Sequence, residues 1–321
     1  MAINIEAADP NIQVEKKRHG FWYDLFRRMI REKPLGTIGL AIFIILLITG
    51  IFAPWLAPYG MNDVNLLDKL QGPSAKYLLG TDELGRDILS RLIYGARVSM
   101  IIGLGATLFT EGLGITLGVV SGFIGGKVDL VIQRFVDVWM SIPSFLVLMT
   151  FMSIIGRGIF QIILVLGITV GVAHSRIMRS AVINIKSNSY VSAAEAIGSS
   201  PIRMMVRHIL PNIVAPIIVN FTISIGGAIM AEASLSFLGL GVPLGVPSWG
   251  SMLSNEGRQY MEIAPLLSVW PGLALTIVVY GINMFGDALR DLLDPRLRGG
   301  VGRYTLKGNK LEKFRRKLTN H

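Results

Sequence analysis

The amino-acid sequence predicts an all-α membrane protein that crosses a bilayer with six transmembrane helices. Of its 321 residues, 51% are hydrophobic and only 16% are charged, whereas an ordinary soluble domain carries roughly 25% charged residues. Long stretches contain no Asp, Glu, Lys or Arg, including residues 34–62, 138–156 and 208–231, and about 20 apolar residues suffice to cross the hydrocarbon core. These features exclude a soluble enzyme, a nucleic-acid-binding module and a disordered protein, despite a net charge of +10.

The N-terminal segment, residues 1–34, is predicted to be a basic cytoplasmic arm that carries an interfacial helix. Between residues 21 and 31, apolar and basic side chains fall on opposite helical faces, which is typical of a helix that lies flat on a membrane surface. The apolar face comprises Trp22, Leu25, Phe26, Met29 and Ile30, and the basic face comprises Arg27, Arg28 and Arg31. The apolar segment that follows is too long for a signal-peptide core, so we expect it to remain as an anchor.

Residues 35–298 are predicted to form one transmembrane domain. Its six spans are expected at residues 36–56, 98–122, 135–155, 159–175, 213–235 and 264–285. Lysine and arginine are concentrated in alternate segments between these spans, so the positive-inside rule predicts that both termini are cytoplasmic. The last residues, 299–321, are predicted to be a polar, basic cytoplasmic tail.

The sequence contains no convincing catalytic or metal-binding signature. Its histidines, at positions 19, 174, 208 and 321, are scattered and lack the spacing of a zinc site. The absence of cysteine excludes thiolate metal sites and cysteine nucleophiles. No phosphate-binding P-loop occurs, so the chain is not expected to bind ATP. Glycines in the spans instead indicate close helix packing, and those expected to do so are Gly103, Gly105, Gly112, Gly114 and Gly118.

The longest hydrophilic cytoplasmic segment, residues 179–211, is predicted to fold into two short amphipathic helices. The apolar residues of the first recur at helical spacing and end at Gly198, which we expect to adopt the left-handed αL conformation. Ser200 is expected to cap the second helix, and Pro201 suits its first position. The apolar positions are Tyr190, Val191, Ala194 and Ile197, then Ile202, Met205, Val206 and Ile209. Helices this short are marginal alone, so their apolar faces must be buried against this chain or another protein.

This segment resembles the EAA loop of ATP-binding-cassette importer permeases. Ala193-Ala194, Gly198 and Leu210-Pro211 reproduce the spacing of that motif. The runs Leu-Gly-Thr-Asp at 79–82, Gly-Arg-Asp at 85–87 and Leu-Ser-Phe-Leu-Gly-Leu-Gly at 235–241 are similar to the dipeptide, oligopeptide and nickel branch. Residues 286–296 resemble the closing signature of the second, C-type permease subunit of that branch. The resemblance covers residues 34–298, nearly the whole chain.

The resemblance implies a transport subunit rather than an enzyme. Two different permease subunits would form the pore, two cytoplasmic ATP-binding subunits would drive it, and an extracytoplasmic solute-binding protein would deliver the solute. This chain would be one of the permease subunits, in the plasma (inner) membrane of a bacterium or archaeon. It would bind no cofactor and no nucleic acid, with ATP and Mg held by the partner ATPases.

The resemblance assigns coupling to the ATPase to eight residues of the loop: Ser192, Ala193, Ala194, Glu195, Gly198, His208, Leu210 and Pro211. Two of them depart from the general motif, because Ser192 replaces its glutamate and His208 its isoleucine. Neither change disturbs the helix–glycine–helix geometry, so we expect coupling through shape and apolar burial rather than through the missing charge. Pro211 is expected to mark a break before the fifth span.

Two acidic residues fall within predicted spans, where a charge is costly. Glu111 is a candidate for a polar pore lining or for a contact with the second permease subunit. Glu232 lies near the outer end of its span, where a structural hydrogen bond is at least as plausible as a pore role. Nearer the inner surface, Arg134 and Asp137 are three residues apart on one helix and are expected to form a local ion pair.

The outer segments, residues 57–91 and 239–262, are too short for separate domains. Their acidic, proline and aromatic residues predict a surface that meets the solute-binding protein or caps the pore. Three function classes are compatible with the sequence. We favour an ATP-driven permease over a secondary carrier or channel without a dedicated ATPase and over a non-transporting scaffold. Peptide is the expected solute, with nickel chelates and oligosaccharides as alternatives.

Overall fold

The computed structural model describes residues 21–254 and 256–293. The predicted tail and the first 20 residues of the predicted arm therefore lie outside the described residues. Within those ranges the chain is helical, and its only β feature is an isolated bridge between Thr81 and Asp87. The predicted all-α membrane fold is confirmed.

Thirteen α-helices are present in the described part of the chain. They are α1 (Phe21–Glu32), α2 (Pro34–Ile51), α3 (Ala53–Leu56), α4 (Ile88–Ile124), α5 (Gly126–Ser141), α6 (Ser144–Ile155), α7 (Ile159–Lys186), α8 (Ser189–Ala196), α9 (Pro201–Arg203), α10 (Val214–Phe237), α11 (Trp249–Ser254), α12 (Glu256–Gln259) and α13 (Leu266–Leu293). A π-helical stretch (Met204–Ile209) and a 3-10 turn (Leu210–Ile213) connect α9 to α10, and a second 3-10 turn (Leu66–Asp68) lies in the first outer segment.

Five of the described helical segments are long and apolar enough to cross a membrane, and a sixth span is present if α5 and α6 count as one. The third predicted span is not straight, because α5 and α6 meet at 84°. The break falls at Ile142, whose backbone is extended (φ −92°, ψ 130°). Pro143 explains it, since a proline disfavours the helical conformation of the preceding residue and has no N–H of its own to donate.

The second and fourth spans are longer than the sequence predicted. Helix α4 has 37 residues and begins at Ile88 rather than at 98. Its N-terminus is capped by Asp87, whose carboxylate accepts the backbone N–H of Ser90 at 2.8 Å, an arrangement that satisfies an otherwise unpaired helix donor. Helix α7 continues to Lys186, beyond the predicted end at 175. Both helices therefore reach into the segments that carry the candidate sites.

Helices α4 and α7 pack closely through small residues. A Cβ on Gly118 would lie 2.5 Å from the Met178 Cβ and 2.7 Å from the Ser175 carbonyl, and a Cβ on Gly114 would lie 3.0 Å from the His174 Cβ. The packing role predicted for these two glycines is confirmed. It also holds for Gly103 and Gly105, whose added Cβ atoms would meet isoleucines, whereas an atom added at Gly112 would meet nothing within 4 Å. The prediction for Gly112 is wrong.

Helix α10 lies beside both α4 and α13. Its buried Ile225 and Ile229 share one apolar cluster with Ile282 of α13 and Trp249 of α11. The Trp249 indole N–H donates to the Leu92 carbonyl of α4 at 3.1 Å. The outer helix α11 is thereby fixed against the transmembrane helices.

Helix α1 packs against the N-terminal end of α2 and the C-terminal end of α13. Met29 is buried, whereas Phe26 and Ile30 expose about half of their surface. The Lys33 ammonium lies 2.5 Å from the Asp291 carboxylate at the end of α13. The helix exists as predicted, and its contact with a membrane surface stays a prediction.

Candidate functional site

The turn after α8 has the geometry predicted for Gly198. This residue is left-handed, with φ +82°. Its N–H donates to the Glu195 carbonyl at 2.9 Å, and the Ser199 N–H donates to the Ala194 carbonyl at 3.2 Å, the two bonds of a Schellman motif. A Cβ added to Gly198 would meet nothing within 4 Å. Glycine is therefore required here by its backbone conformation and not by a lack of space.

One face of the loop is anchored in the protein core. Val191 and Ala194 of α8 are buried, as are Met204 and Ile209 of the π-helical stretch. They form one apolar cluster with residues of α4 and α7. Because these helices also form the transmembrane body, the position of the loop is tied directly to the position of the spans.

The opposite face is exposed and apolar. Ile197 is 84% exposed, Ile202 71%, Val206 60% and Tyr190 43%. We call these four residues the cytoplasmic tip, after the side of the membrane predicted for this loop. Of the eight residues in the predicted apolar stripes, three are thus buried in this chain, one is partly buried, and four are open on either side of the Gly198 turn. A cluster of exposed large apolar side chains at a protein surface marks a contact site.

The structure of the second predicted helix differs from the expectation in three respects. Pro201 occupies the first turn as expected, but Ser200 makes no side-chain capping bond. The helical run also continues without a break from Pro201 to Phe237, so Pro211 does not separate the loop from the fifth span. Pro211 lacks a backbone N–H, and the run accommodates it by changing from a π-helical stretch to a 3-10 turn at Leu210.

The eight residues assigned to coupling lie in this loop but are not equivalent. Ala194 is buried, and His208 and Leu210 are partly buried. The other members with side chains are exposed, namely Ser192, Ala193, Glu195 and Pro211. The His208 carbonyl accepts a hydrogen bond from the Asn212 side chain at 2.7 Å. The large exposed members of the tip, Ile197 and Ile202, are not among the eight, although their positions in the predicted stripes could have identified them.

Two grooves open beside the loop, between α7 and α10. One has a volume of about 640 Å³ and is lined by Arg176, Asn184 and Asn212 among others. The other, of about 460 Å³, extends to Asn220 and to Arg290 of α13. Ile177 and Pro216 line both. The two grooves are therefore lined by apolar side chains together with amide and guanidinium groups.

Glu111 is buried between α4 and α7, with 4% of its surface exposed. Its Oε1 lies 3.0 Å from the Nδ1 of His174, and its Oε2 has no hydrogen-bond partner among the described residues. The His174 contact was not foreseen from the sequence, although both residues lie among small residues on facing spans. A role for Glu111 in the pore or at the second subunit stays a prediction.

Ion pairs also join α5 to α7. The Arg179 guanidinium donates two hydrogen bonds to the Asp129 carboxylate, at 2.6 and 2.5 Å. Asp137 contacts Arg134 at 3.5 Å, as the sequence predicted, and also contacts Arg176 of α7. The bent third span is thereby held to α7 near the loop.

Glu232 is fully buried near the outer end of α10. Its Oε1 accepts the Ser236 hydroxyl at 2.6 Å, and the Ser236 oxygen accepts the backbone N–H of Val242 at 3.3 Å. The carboxylate thus fixes the turn that follows α10. This arrangement favours the structural role over the pore role.

The first outer segment contains a buried ion cluster. Asp82 contacts Arg86 at 2.7 Å and Arg91 at 3.4 Å. Glu83 lies beside it, 3.4 Å from Arg86, and burial raises the pKa of the Glu83 carboxyl above its ordinary value. Two of the runs recognised in the sequence, 85–87 and 235–241, contribute residues to the lining of one cavity here, namely Arg86 and Ser236, Gly239 and Gly241.

Comparison with known proteins identifies the family. The family described as "Binding-protein-dependent transport system inner membrane component" matches residues 114–299, more than half of the chain. The chain belongs to this family of permeases. A second family, described as the N-terminal TM domain of oligopeptide transport permease C, matches residues 20–73. This permease is therefore an integral membrane protein and a pore-forming subunit of a transport system.

Similar proteins cover nearly the whole permease. A dipeptide transport system permease protein of Alkalihalophilus pseudofirmus is 38% identical over 277 residues, which are 86% of this chain and 90% of that protein. An oligopeptide transport system permease protein of Bacillus subtilis is 37% identical over 286 residues, 89% of this chain and 93% of that protein. A glutathione transport system permease protein of Escherichia coli is 39% identical over 279 residues, 87% and 91% of the two chains.

A solved structure shares the fold of the permease. An inward-facing form of the MetNI methionine ABC transporter matches with a TM-score of 0.51 and 21% identity, covering 64% of this chain and 96% of that one. At that identity the match shows the fold alone. Among the described residues of the permease, no group of three or more His, Asp or Glu side chains could hold a metal ion.

Proposed function

We propose that this permease is one of two different pore subunits of an ATP-driven importer for short peptides. A second permease subunit completes the pore, two cytoplasmic ATP-binding subunits drive it, and an extracytoplasmic solute-binding protein supplies the peptide. ATP and Mg are bound by those ATPase chains. The complex lies in the plasma membrane of a bacterium or archaeon, with both termini of this chain in the cytoplasm.

The main observation that supports this proposal is the exposed apolar surface of the cytoplasmic tip. Its exposed apolar side chains include Ile197 and Ile202, which flank the Gly198 turn, and the buried face of the same loop packs on α4 and α7. A partner that binds the tip can therefore move the spans, because the loop has little freedom to move independently of them. A secondary carrier or channel does not require a rigid apolar contact surface at this place.

Peptide is the solute that the similar proteins favour. Those named above are permeases for dipeptides, oligopeptides and glutathione, and each matches across most of this chain. Glutathione is itself a short peptide, so the three share a peptide bond and a free carboxylate. The groove residues Asn184, Asn212 and Asn220 offer amide groups that can both donate hydrogen bonds to a peptide and accept them.

The proposal is tested by uptake into proteoliposomes that contain this chain and its partner subunits. We expect uptake of a labelled dipeptide to require both ATP and the solute-binding protein. Ile202→Glu places a charge in the apolar tip and should abolish ATP-dependent uptake while leaving membrane insertion intact. Ser189→Glu adds the same charge to the exposed first residue of α8, which belongs neither to the tip nor to the eight assigned residues, and it should be tolerated. Uptake that persists without an ATPase, or that survives Ile202→Glu unchanged, contradicts the proposal.

A further inference from the structure

A cavity of about 270 Å³ lies where three outer segments meet. Its walls come from the turn around Glu83, from Arg157 between α6 and α7, and from residues 239–246 after α10. The Gly158 N–H donates to the Gly241 carbonyl at 3.3 Å, which holds the second and third of these segments together. The cavity is therefore built by the fold and is not a gap between loose loops.

The described residues that line the cavity carry an excess of positive charge. Arg86 and Arg91 share the carboxylate of Asp82 behind the wall, and Arg86 also contacts Glu83. The third guanidinium, that of Arg157, lies against Gly239 and has no hydrogen bond or ion pair with any residue of the described chain. Arg86 and Arg91 are therefore already paired with carboxylates, and Arg157, whose side chain is exposed at the cavity, is the lining arginine left for a ligand.

The same cavity also presents an unsatisfied acceptor. Glu83 Oε2 is buried and has no hydrogen-bond partner among the described residues. A buried carboxylate oxygen without a partner is costly, so the site favours a ligand that brings a donor or a positive charge to it. The lining also includes Ser236 and Ser251 and apolar residues such as Leu84, Val242 and Val246.

We propose that this outer cavity is a binding site for the zwitterionic form of a short peptide. Arg157 binds the C-terminal carboxylate of the peptide, since a guanidinium pairs strongly with a carboxylate. Glu83 binds its N-terminal ammonium group. The volume of about 270 Å³ suits a dipeptide of small residues rather than a long chain. The inference rests on the proposed function and deepens it, because it assigns to this chain a peptide site at the outer end of the pathway.

Equilibrium binding of labelled dialanine to the full-length chain in lipid nanodiscs tests the proposal. We expect saturable binding of dialanine and weaker binding of dialanine amide and of N-acetyl-dialanine, which each lack one charge. Arg157→Gln should weaken dialanine binding by about tenfold or more, as expected for loss of a charge-assisted hydrogen bond, and should remove the preference over the amide. Glu83→Gln should remove the preference over the N-acetyl peptide.

Arg258→Gln is the matched control. Arg258 is an exposed arginine of α12, in the second outer segment and outside the cavity lining, so this variant should bind dialanine as the unaltered chain does. Thermal unfolding of each variant shows whether it is folded. A folded Arg157→Gln chain that binds dialanine normally, or that still prefers it over the amide, overturns the inference. Absence of saturable binding to the unaltered chain overturns it as well.

The cavity could instead receive an acidic side chain of the solute-binding protein. Weakened docking of that protein by Arg157→Gln, with unchanged dialanine binding, supports that alternative and overturns the peptide site. The binding assay needs no partner chain, so it is independent of the uptake assay. ATP-dependent uptake together with no dialanine binding overturns this inference alone, whereas binding without ATP-dependent uptake counts against the proposed function.

Discussion

At the scale of single residues, Gly198 shows how far local sequence can predict structure. Its αL conformation follows from a glycine placed at the end of an amphipathic helix, and the structure confirms it with φ +82°. The partners of Glu111 and Asp129 could not be predicted in the same way. His174 is 63 residues away from Glu111, and Arg179 is 50 residues away from Asp129. Such pairs form only between helices that are neighbours in the folded chain, and a single sequence does not show which helices are neighbours.

Substitution of Gly198 tests whether the turn geometry matters for transport. Valine at a left-handed position costs about 1–2 kcal/mol, and since an added Cβ meets nothing within 4 Å, we assign the cost to the backbone conformation. We expect Gly198→Val to reduce ATP-dependent uptake strongly at unchanged membrane insertion. Gly198→Asn is the control, because asparagine also adopts αL, and it should retain most uptake. Equal uptake by the valine variant would contradict the role of the turn.

Asp68 organises the first outer segment and gives it a predicted pH dependence. Its carboxylate accepts hydrogen bonds from Lys76 at 2.6 Å, Tyr77 at 2.9 Å, Asn65 at 2.7 Å and Gln71 at 2.8 Å. The hydrogen bond from the Lys76 ammonium, followed by that from Tyr77, holds the pKa of Asp68 below its usual value. A lowered pKa means that this stabilisation is present at neutral pH and is lost as the pH falls through the folded pKa, below about pH 4.

Deuterium exchange of this outer segment measures the effect. We expect its amide exchange, corrected for the intrinsic rate, to be slow at pH 7 and to accelerate below pH 4. Asp68→Asn should make exchange faster at pH 7 and abolish that acid dependence. Asp63→Asn is the control, because Asp63 accepts only a single described hydrogen bond, from the Gly60 N–H at 2.7 Å. Identical exchange in the Asp68 and Asp63 variants would refute the assigned role.

At the scale of helices, the order of the long apolar segments could be predicted, but their shapes could not. Apolar length fixes where a span is needed. It does not show that Pro143 bends the third span by 84°, nor that the run from Pro201 to Phe237 stays helical through Pro211. Proline either breaks or distorts a helix, and the surrounding packing decides which. Apolar periodicity likewise predicted which residues of the loop form the apolar stripes. It did not show that Ile209 is buried and that Ile202 is exposed.

The close contact of α4 and α7 yields a prediction at this scale. Gly118→Ala places a methyl group 2.5 Å from Met178 Cβ and 2.7 Å from a backbone oxygen, so the helices must separate. Overpacking of this kind costs about 1–3 kcal/mol, and we expect a clearly lower melting temperature of the purified chain. Gly112→Ala on the same helix meets nothing within 4 Å and should leave the melting temperature unchanged or slightly higher. Equal melting of the two variants would argue against the packing.

At the scale of the whole molecule, the orientation in the membrane determines which side of it each candidate site faces. The exposed Ser192 lies in the loop assigned to the cytoplasm, and the exposed Asn62 lies in the first outer segment. Because the chain has no cysteine, a single introduced cysteine can be labelled without background from this chain. A membrane-impermeant maleimide should label Asn62→Cys in intact cells and Ser192→Cys only after the membrane is opened. The reverse pattern would invert the assignment of both sites.

The family and the helix–glycine–helix geometry of the loop could be predicted because their motifs are contiguous in the sequence. The outer cavity could not be, since Glu83, Arg157 and Ser236 come from three separate segments. Only the folded chain shows that these three segments line one space. The whole molecule thus presents an apolar contact surface at one end of its spans and a charged cavity at the other.

The central claim is that the cytoplasmic tip binds a separate ATPase, and cross-linking from the tip tests it most directly. Ile197→Cys, in the complex purified from membranes, is joined to neighbouring lysines by a maleimide–succinimide reagent, with Asn62→Cys as the control. We expect the tip cysteine to form one cross-linked product, identified by mass spectrometry as a chain that carries a P-loop and hydrolyses ATP, and the control to form none with that chain. A complex that hydrolyses no ATP, or an ATPase that is present but not joined to Ile197→Cys, would contradict the account.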